Sequence, residues 1–289
     1  MAELARLVRV DSHDDGINSW EMRRFAPSRP LSGFVGGYTD YAERTAGFTT
    51  RRELPHGEGV LIINLGAPIE ITGGDGQLIR LGAGQAFVAG FHLRPALSGS
   101  PCEQRGIQID ISLPALRRLS GVPMTELVDR ALPLEMLLER AANELGQRIS
   151  NVSDPTKRIM LLEAELLANF ASRPELPRSQ VAAFQLLKQF DGDIMDVART
   201  IGWSRKHFSD RVRDTVGVGP RSYRRVLRFD RAVGLIRSGA PGQSWAGLAA
   251  EAGYCDQSHM IREFKELAGM TPTELIRQQV PGGGGFAEN

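Results

Sequence analysis

The stretch GYCDQSHMIREFKELAGMTP, Gly253–Pro272, decides how the chain is read. It sets Asp256, Gln257, Ser258, His259, Arg262, Glu263, Lys265 and Glu266 among a few regularly spaced apolar residues, between a Gly-Tyr pair and a Gly-Met-Thr-Pro stop. Taken alone, the pattern fits a catalytic helix, a solvated surface face or a DNA-reading helix. The rest of the sequence separates them.

The same punctuation occurs a second time. VARTIGWSRKHFSDRVRDTVGVGPRSY (197–223) aligns with LAAEAGYCDQSHMIREFKELAGMTPTEL (248–275). Ala198 matches Ala249, Gly202 matches Gly253 and Trp203 matches Tyr254. After one inserted residue, His207 matches His259, Phe208 Met260, Val212 Phe264, Gly217 Gly269 and Pro220 Pro272. A repeated pattern is far more specific than a single one. Each copy reads as a short helix, a Gly-aromatic turn, a second helix and a Gly-x-x-Pro stop. The small Ala lets the second helix cross close to the first, and the Gly supplies the positive φ that ends it. Phe208 and Val212, like Met260 and Phe264, lie four apart and face a core, so their polar neighbours point outward together. This is a helix-turn-helix, whose second helix can enter the major groove. Between the copies, PRSYRRVLRFDRAVGLIRS (220–238) is a basic amphipathic helix able to hold the two units apart by about one DNA turn, ~34 Å.

Charge follows the same division. Arg178 to Val280 carries 16 Lys and Arg against 11 Asp and Glu, and the remainder 19 against 23. A basic C-terminal third on a slightly acidic body suits a module that meets a polyanion. The 289 residues suffice for two domains, and the 42% hydrophobic and 24% charged content is that of a soluble globular protein. No apolar run reaches the ~20 residues of a membrane span, so no membrane partner is expected. The start, MAELARLVRVDSHDD, lacks a secretory pattern, and with only Cys102 and Cys255 a cytoplasmic location is expected.

The N-terminal part, 1–112, is rich in Gly-punctuated short apolar runs. GVLIINLG (59–66), IEIT (69–72), QLIRL after the GGDG turn, GQAFVAG and RGIQIDIS read as strands, and SGFVGGYTDYAER holds another one or two. An antiparallel barrel or sandwich is predicted. Residues 113–175 switch to helical spacing, with Asp154 as an N-cap and Pro155 at the first helical position. A Pro-interrupted stretch, 172–180, marks the boundary to an all-helical third, 178–280, with helix-turn-helix units at about 194–216 and 245–268. The tail, 281–289, is expected to be disordered.

With these residues in view, 178–279 strongly resembles the AraC/XylS family of bacterial transcription regulators. The resemblance implies an α+β chain whose C-terminal seven-helix domain reads successive major-groove segments with two helix-turn-helix units. By position it implies that Arg205, Lys206, Ser209 and Asp210 in the first recognition helix, and Gln257, Ser258, His259 and Arg262 in the second, meet base edges. The chemistry agrees: Arg suits guanine, Gln suits adenine, and Ser or His bonds a base or a phosphate. Asp210 accepts from cytosine, discriminates against wrong sites or pairs with Arg213. Arg213, Arg224, Arg225, Arg228 and Lys265 are phosphate candidates. The N-terminal part resembles, more loosely, the cupin-like sensor of one branch of that family, through LPHGEGVLIINLGAP and RGIQIDISLPALRRLSGVPMTEL. The resemblance implies as partners double-stranded DNA, a small-molecule effector, a second copy of the chain that meets it through the helices of 113–175 and, for an activator, RNA polymerase.

An enzyme is the lesser reading. His56, Glu58 and His92 are a poor substitute for a cupin metal set, because the His-x-His spacing is missing; His56 and Glu58 read instead as a turn before a strand. No metal, cofactor or catalytic residue is assigned, and no nucleophile elbow, phosphate loop or dinucleotide fingerprint occurs. Two alternatives stay open: an N-terminal protein-interaction module, and a metal-dependent cupin enzyme fused to a DNA-binding domain.

Overall fold

The computed structural model describes residues 5–45, 50–101, 103–138, 140–189, 192–238, 244–280 and 285–288. Cys102 lies outside them. The described residues hold eleven strands, ten of them ahead of the first α-helix: β1 (Arg6–Asp14), β2 (Ser19–Ala26), β3 (Val35–Arg44), β4 (Thr50–Glu53), β5 (Gly59–Asn64), β6 (Ile69–Thr72), β7 (Leu78–Leu81), β8 (Ala86–Ala89), β9 (Ala96–Gly99), β10 (Glu103–Ile111) and, after that helix, β11 (Ala131–Pro133). Helices α1 (Leu113–Ser120), α2 (Glu135–Leu138), α3 (Arg140–Ser150) and α4 (Pro155–Ala171) connect to a seven-helix unit. That unit comprises α5 (Arg178–Gln189), α6 (Ile194–Thr200), α7 (Arg205–Val216), α8 (Pro220–Ser238), α9 (Trp245–Ala252), α10 (Gln257–Leu267) and α11 (Pro272–Arg277).

The strands form two antiparallel sheets, β1-β2-β3-β10-β5-β8-β11 and β4-β9-β6-β7. Strand β10 is central to the larger one. Its Ile107, Ile109 and Ile111 are fully buried and alternate with half-buried Gln108 and Asp110, the period of a strand with one face in a core. The smaller sheet covers the other face through Ile69, Ile71 and Leu81, packed on Phe87 and Ala131. Among the described residues no ladder joins β4 or β7 to the larger sheet, so the domain is a sandwich and not a closed barrel.

The β1–β2 hairpin was not legible in the sequence. Almost all of β1 is solvent-exposed, so no apolar alternation marks it. Helix α4 begins as expected: the Asp154 carboxylate accepts from the Thr156 and Lys157 amides, with Pro155 following. It is held to β3 by a buried bidentate pair, in which Arg158 Nε and Nη2 lie 2.7 and 2.8 Å from the Asp40 carboxylate. Burial pushes the Asp40 carboxyl up, and Arg158 pulls it back down.

The tail departs from expectation. Within 281–289, Gly285–Glu288 lies along β4: the Arg52 amide donates to the Phe286 carbonyl at 2.9 Å and the Glu288 amide to the Thr50 carbonyl at 3.0 Å. Phe286 is buried, and Arg237 lies over its ring. Phe286 and Glu288 thereby gain backbone partners that a free tail lacks.

Candidate nucleic-acid interface

Helices α6–α7 and α9–α10 repeat one geometry. In the first pair Gly202 stands at φ 71, and the Trp203 amide turns back to donate to the Ala198 carbonyl at 2.9 Å. In the second, Gly253 stands at φ 91, and the Tyr254 amide donates to the Ala249 carbonyl at 2.8 Å. Ala198 and Ala249 are fully buried where the helices cross. Each second helix has an oxygen cap: Ser204 Oγ accepts from the His207 amide at 3.2 Å, and Asp256 Oδ1 from the His259 amide at 2.7 Å. Each capped histidine then sets its ring edge-on to the turn aromatic, with centroids 4.7 Å apart for Trp203–His207 and 5.3 Å for Tyr254–His259.

With Phe208 and Val212, and Met260 and Phe264, buried inside, the opposite faces are left to solvent. Arg205, Lys206, Asp210 and Arg213 are exposed on α7, and Ser209 is half-buried beside them. Asp210 stands 3.9 Å from Arg213, the internal pairing that was one of its readings. On α10, Gln257, Ser258, Arg262 and Lys265 are exposed. His259 is not set out with them: it lies between the Tyr254 ring and Glu263, its Nε2 3.4 Å from the carboxylate.

Arg225 and Arg228 are among the expected phosphate contacts. Within the chain both turn to the buried Glu263 of α10, at 3.3 and 3.0 Å, and Arg225 also pairs with Glu266. Arg228 lies 5.7 Å over the Tyr254 ring. Arg224 bonds the Gly192 carbonyl. Burial, then the Glu263 charge, hold the Tyr254 phenol protonated well above the ordinary range. These arginines fix where α10 sits. Arg211 is exposed on the flank of α7 beside Trp203, His207 and Gln180.

The family model for a helix-turn-helix domain matches residues 197–278. This region is an AraC-type helix-turn-helix domain. The AraC-type domain is a DNA-binding module of transcription regulators. No curated protein matches the chain. Among solved structures, ToxT from Vibrio cholerae superposes at a TM-score of 0.51 with 11% identity, covering 83% of this chain and 98% of that one. ToxT bound to (E)-4-(8-methylnaphthalen-1-yl)but-3-enoic acid gives 0.51 at 12% identity, over 83% and 98%. These likenesses establish the fold, sandwich and AraC-type domain together.

The AraC-type domain is seated on the N-terminal part at several places. Tyr223 of α8 donates to the Gly57 carbonyl at 3.2 Å, and Leu227 packs so close that a Cβ on Gly57 would lie 2.5 Å from it. Lys188 pairs with Glu58 in the same loop. Burial first, against Lys188, raises the Glu58 carboxyl. Arg117 of α1 pairs with Asp214 of α7 at 3.3 Å. Arg52 of β4 donates to the Ala268 carbonyl at the end of α10 at 2.9 Å. His56 and Glu58 form the expected turn, with the Glu58 amide donating to His56 Nδ1 at 3.3 Å. Among the described residues no group of three or more His, Cys, Asp or Glu stands where a metal could be held, and no helix is long and apolar enough to cross a membrane.

Proposed function

We infer that the chain is a sequence-specific transcription regulator in which two reading heads on one helical frame bind double-stranded DNA under the control of a small-molecule effector. The observation that carries the reading is the twice-built turn, Ala198–Trp203–His207 and Ala249–Tyr254–His259, which presents two recognition helices from one frame. Affinity comes largely from Lys and Arg on phosphate and falls steeply with salt. Specificity comes from Arg205, Lys206, Ser209 and Asp210 on α7, from Gln257, Ser258 and Arg262 on α10, and from how readily the site bends.

Control comes from the sandwich. Its Gly57–Glu58 loop grips α8 and α5, so a ligand that favours one seating of the loop biases the arrangement of both heads. An amphipathic carboxylic acid is the first class to test, because a similar ToxT structure holds one. A second copy of the chain and, for an activator, RNA polymerase complete the partners of this reading.

Selection from a randomised duplex library with the full chain, at two salt concentrations and with or without (E)-4-(8-methylnaphthalen-1-yl)but-3-enoic acid, tests it. Enrichment of a bipartite site with halves about one helical turn apart is expected. Uniform weak binding under every condition would sink the reading. Enrichment indifferent to the acid would remove this effector class and leave the reading heads.

A further inference from the structure

Helix α7 has a flank that neither packs in the core nor points out with Asp210. Its residues are His207, Arg211 and Asp214, which recur at three- and four-residue spacing. Arg211 follows Asp210 by one residue, a rotation of about 100° round the helix. Opposite this flank lies the start of α5. Between the two is a cleft of about 240 Å³, lined by Pro177, Ser179, Gln180, Trp203, His207 and Arg211. Ser179, His207 and Arg211 are exposed, so the cleft opens to solvent. Arg211 pairs with no carboxylate among the described residues.

A helix with its side chains is about 10–12 Å across, and the major groove is about 12 Å wide. A side chain a quarter turn from the reading face therefore meets the wall of the groove, which is sugar and phosphate. Arg211 stands at that angle, and Ser179 and Trp203 beside it carry further donors. About one turn beyond Arg211 is a carboxylate that would oppose a phosphate, Asp214. Both its oxygens are engaged. Oδ2 accepts from Gln180 Nε2 at 2.9 Å, and Oδ1 accepts from Arg117 Nε and Nη2, both at 3.3 Å. Gln180 is buried and also donates to Thr215 Oγ1 at 2.6 Å, which fixes it within the AraC-type domain. Arg117 comes from α1, in the N-terminal part. The same part holds the end of α7, where a Cβ on Gly217 would lie 2.7 Å from the Met124 carbonyl oxygen.

We propose that the cleft between α5 and α7 seats a backbone phosphate of the DNA on Arg211, and that Arg117 keeps this seat usable by neutralising Asp214. The seat rests on the DNA-binding reading of α7. It adds a phosphate contact outside the base-reading face, and a lever on it from the N-terminal part. A movement of that part which withdraws Arg117 leaves Asp214 uncompensated, three residues from Arg211 on the same flank. Asp214 then competes with the phosphate for Arg211 and repels the strand, so affinity falls while base preference stays. Arg117 and Asp214 are partly exposed, at 21% and 31%, so the effect is modest and weakens with salt.

Binding of the full chain to a mixed-sequence duplex, from about 50 mM to about 200 mM salt, tests it. Arg211→Ala should lower the slope of log affinity against log salt by about one, so that the wild type loses about threefold more affinity than the variant over that range. Arg211→Lys should restore most of the slope, and library selection with Arg211→Ala should return the wild-type sequence. Arg117→Ala should weaken binding by about twofold or more at the lower salt, and adding Asp214→Asn should restore it. An Arg117 that only props the domains together would not be rescued in this way, because asparagine does not replace the lost ion pair. Unchanged circular dichroism is the folding control for each variant. An unchanged slope in Arg211→Ala, or an altered base preference, overturns the seat. Arg117→Ala without effect, or an effect that Asp214→Asn leaves in place, overturns the control by Arg117. A wild type that binds no duplex at either salt removes the regulator reading and the seat with it, whereas wild-type binding with an unchanged Arg211→Ala slope removes the seat alone.

Discussion

Arg228 of the connecting helix and Glu263 of the second recognition helix meet at 3.0 Å, and Glu263 is 7% exposed. Together with Arg225 this contact makes α8 the mount of α10. Arg225→Ala and Arg228→Ala should each cost about 1–3 kcal/mol of stability, because Glu263 loses a charged hydrogen bond. Each should leave the salt slope of DNA binding unchanged. Lys265→Ala, by contrast, should lower that slope by about one. A slope lowered by about one in Arg225→Ala would make it a phosphate contact after all.

Arg205 and Arg262 occupy the exposed faces of the two reading heads. Arg205→Ala and Arg262→Ala should each cost about 1–3 kcal/mol of specific binding and relax selection in one half of the site only. Library selection with each variant reads this directly. Loss spread evenly over both halves would reassign the residue to the backbone.

Arg158 and Asp40 are 4% and 3% exposed. Arg158→Met removes one partner and leaves a buried carboxylate, an arrangement that costs about 3–5 kcal/mol. The double variant Arg158→Met, Asp40→Leu should recover most of that in thermal or urea unfolding. Equal loss in both would show that Arg158 acts chiefly through the Val152 and Ser153 carbonyls it also bonds.

The C-terminal segment ties the end of α10 to β4, with Arg52 bonding both Ala268 and Glu288. Phe286→Ala should cost up to about 3 kcal/mol, less than an interior Phe because a surface segment can undock. Amide exchange at Arg52 should accelerate in this variant. Unchanged exchange there would show that Phe286 does not hold the segment in place.

Asp15 accepts from the Asn18 and Ile17 amides in the β1–β2 turn, and these bonds lower its carboxyl to about 2. A depressed carboxyl stabilises the turn above the unfolded value of ~3.9, and that contribution is lost as pH falls through about 2. The Asn18 and Ile17 amide resonances should move between about pH 4 and pH 2, and Asp15→Asn should abolish the movement. Titration centred near 4 in the wild type would contradict the geometry.

The sequence by itself determined the two helix-turn-helix units. Both helix-turn-helix units follow from local rules repeated twice: an Ala where helices cross, a Gly where φ must be positive, a Ser or Asp cap, and apolar residues four apart. These contacts close within about ten residues, so the code is local. The strands flanked by Gly turns were legible for the same reason. The sandwich as against a barrel, the seating of Arg225 and Arg228 on Glu263, and the place of Gly285–Glu288 on β4 were decided only by tertiary structure. Each depends on residues far apart in sequence, from the 35 positions between Arg228 and Glu263 to the 236 between Arg52 and Glu288. An arginine facing a phosphate and one facing a buried glutamate look identical until the partner helix is in place. Strand β1 was invisible in the sequence because both its faces are wet. The hydrophobic pattern marks burial, and it is silent about a strand that has little of it.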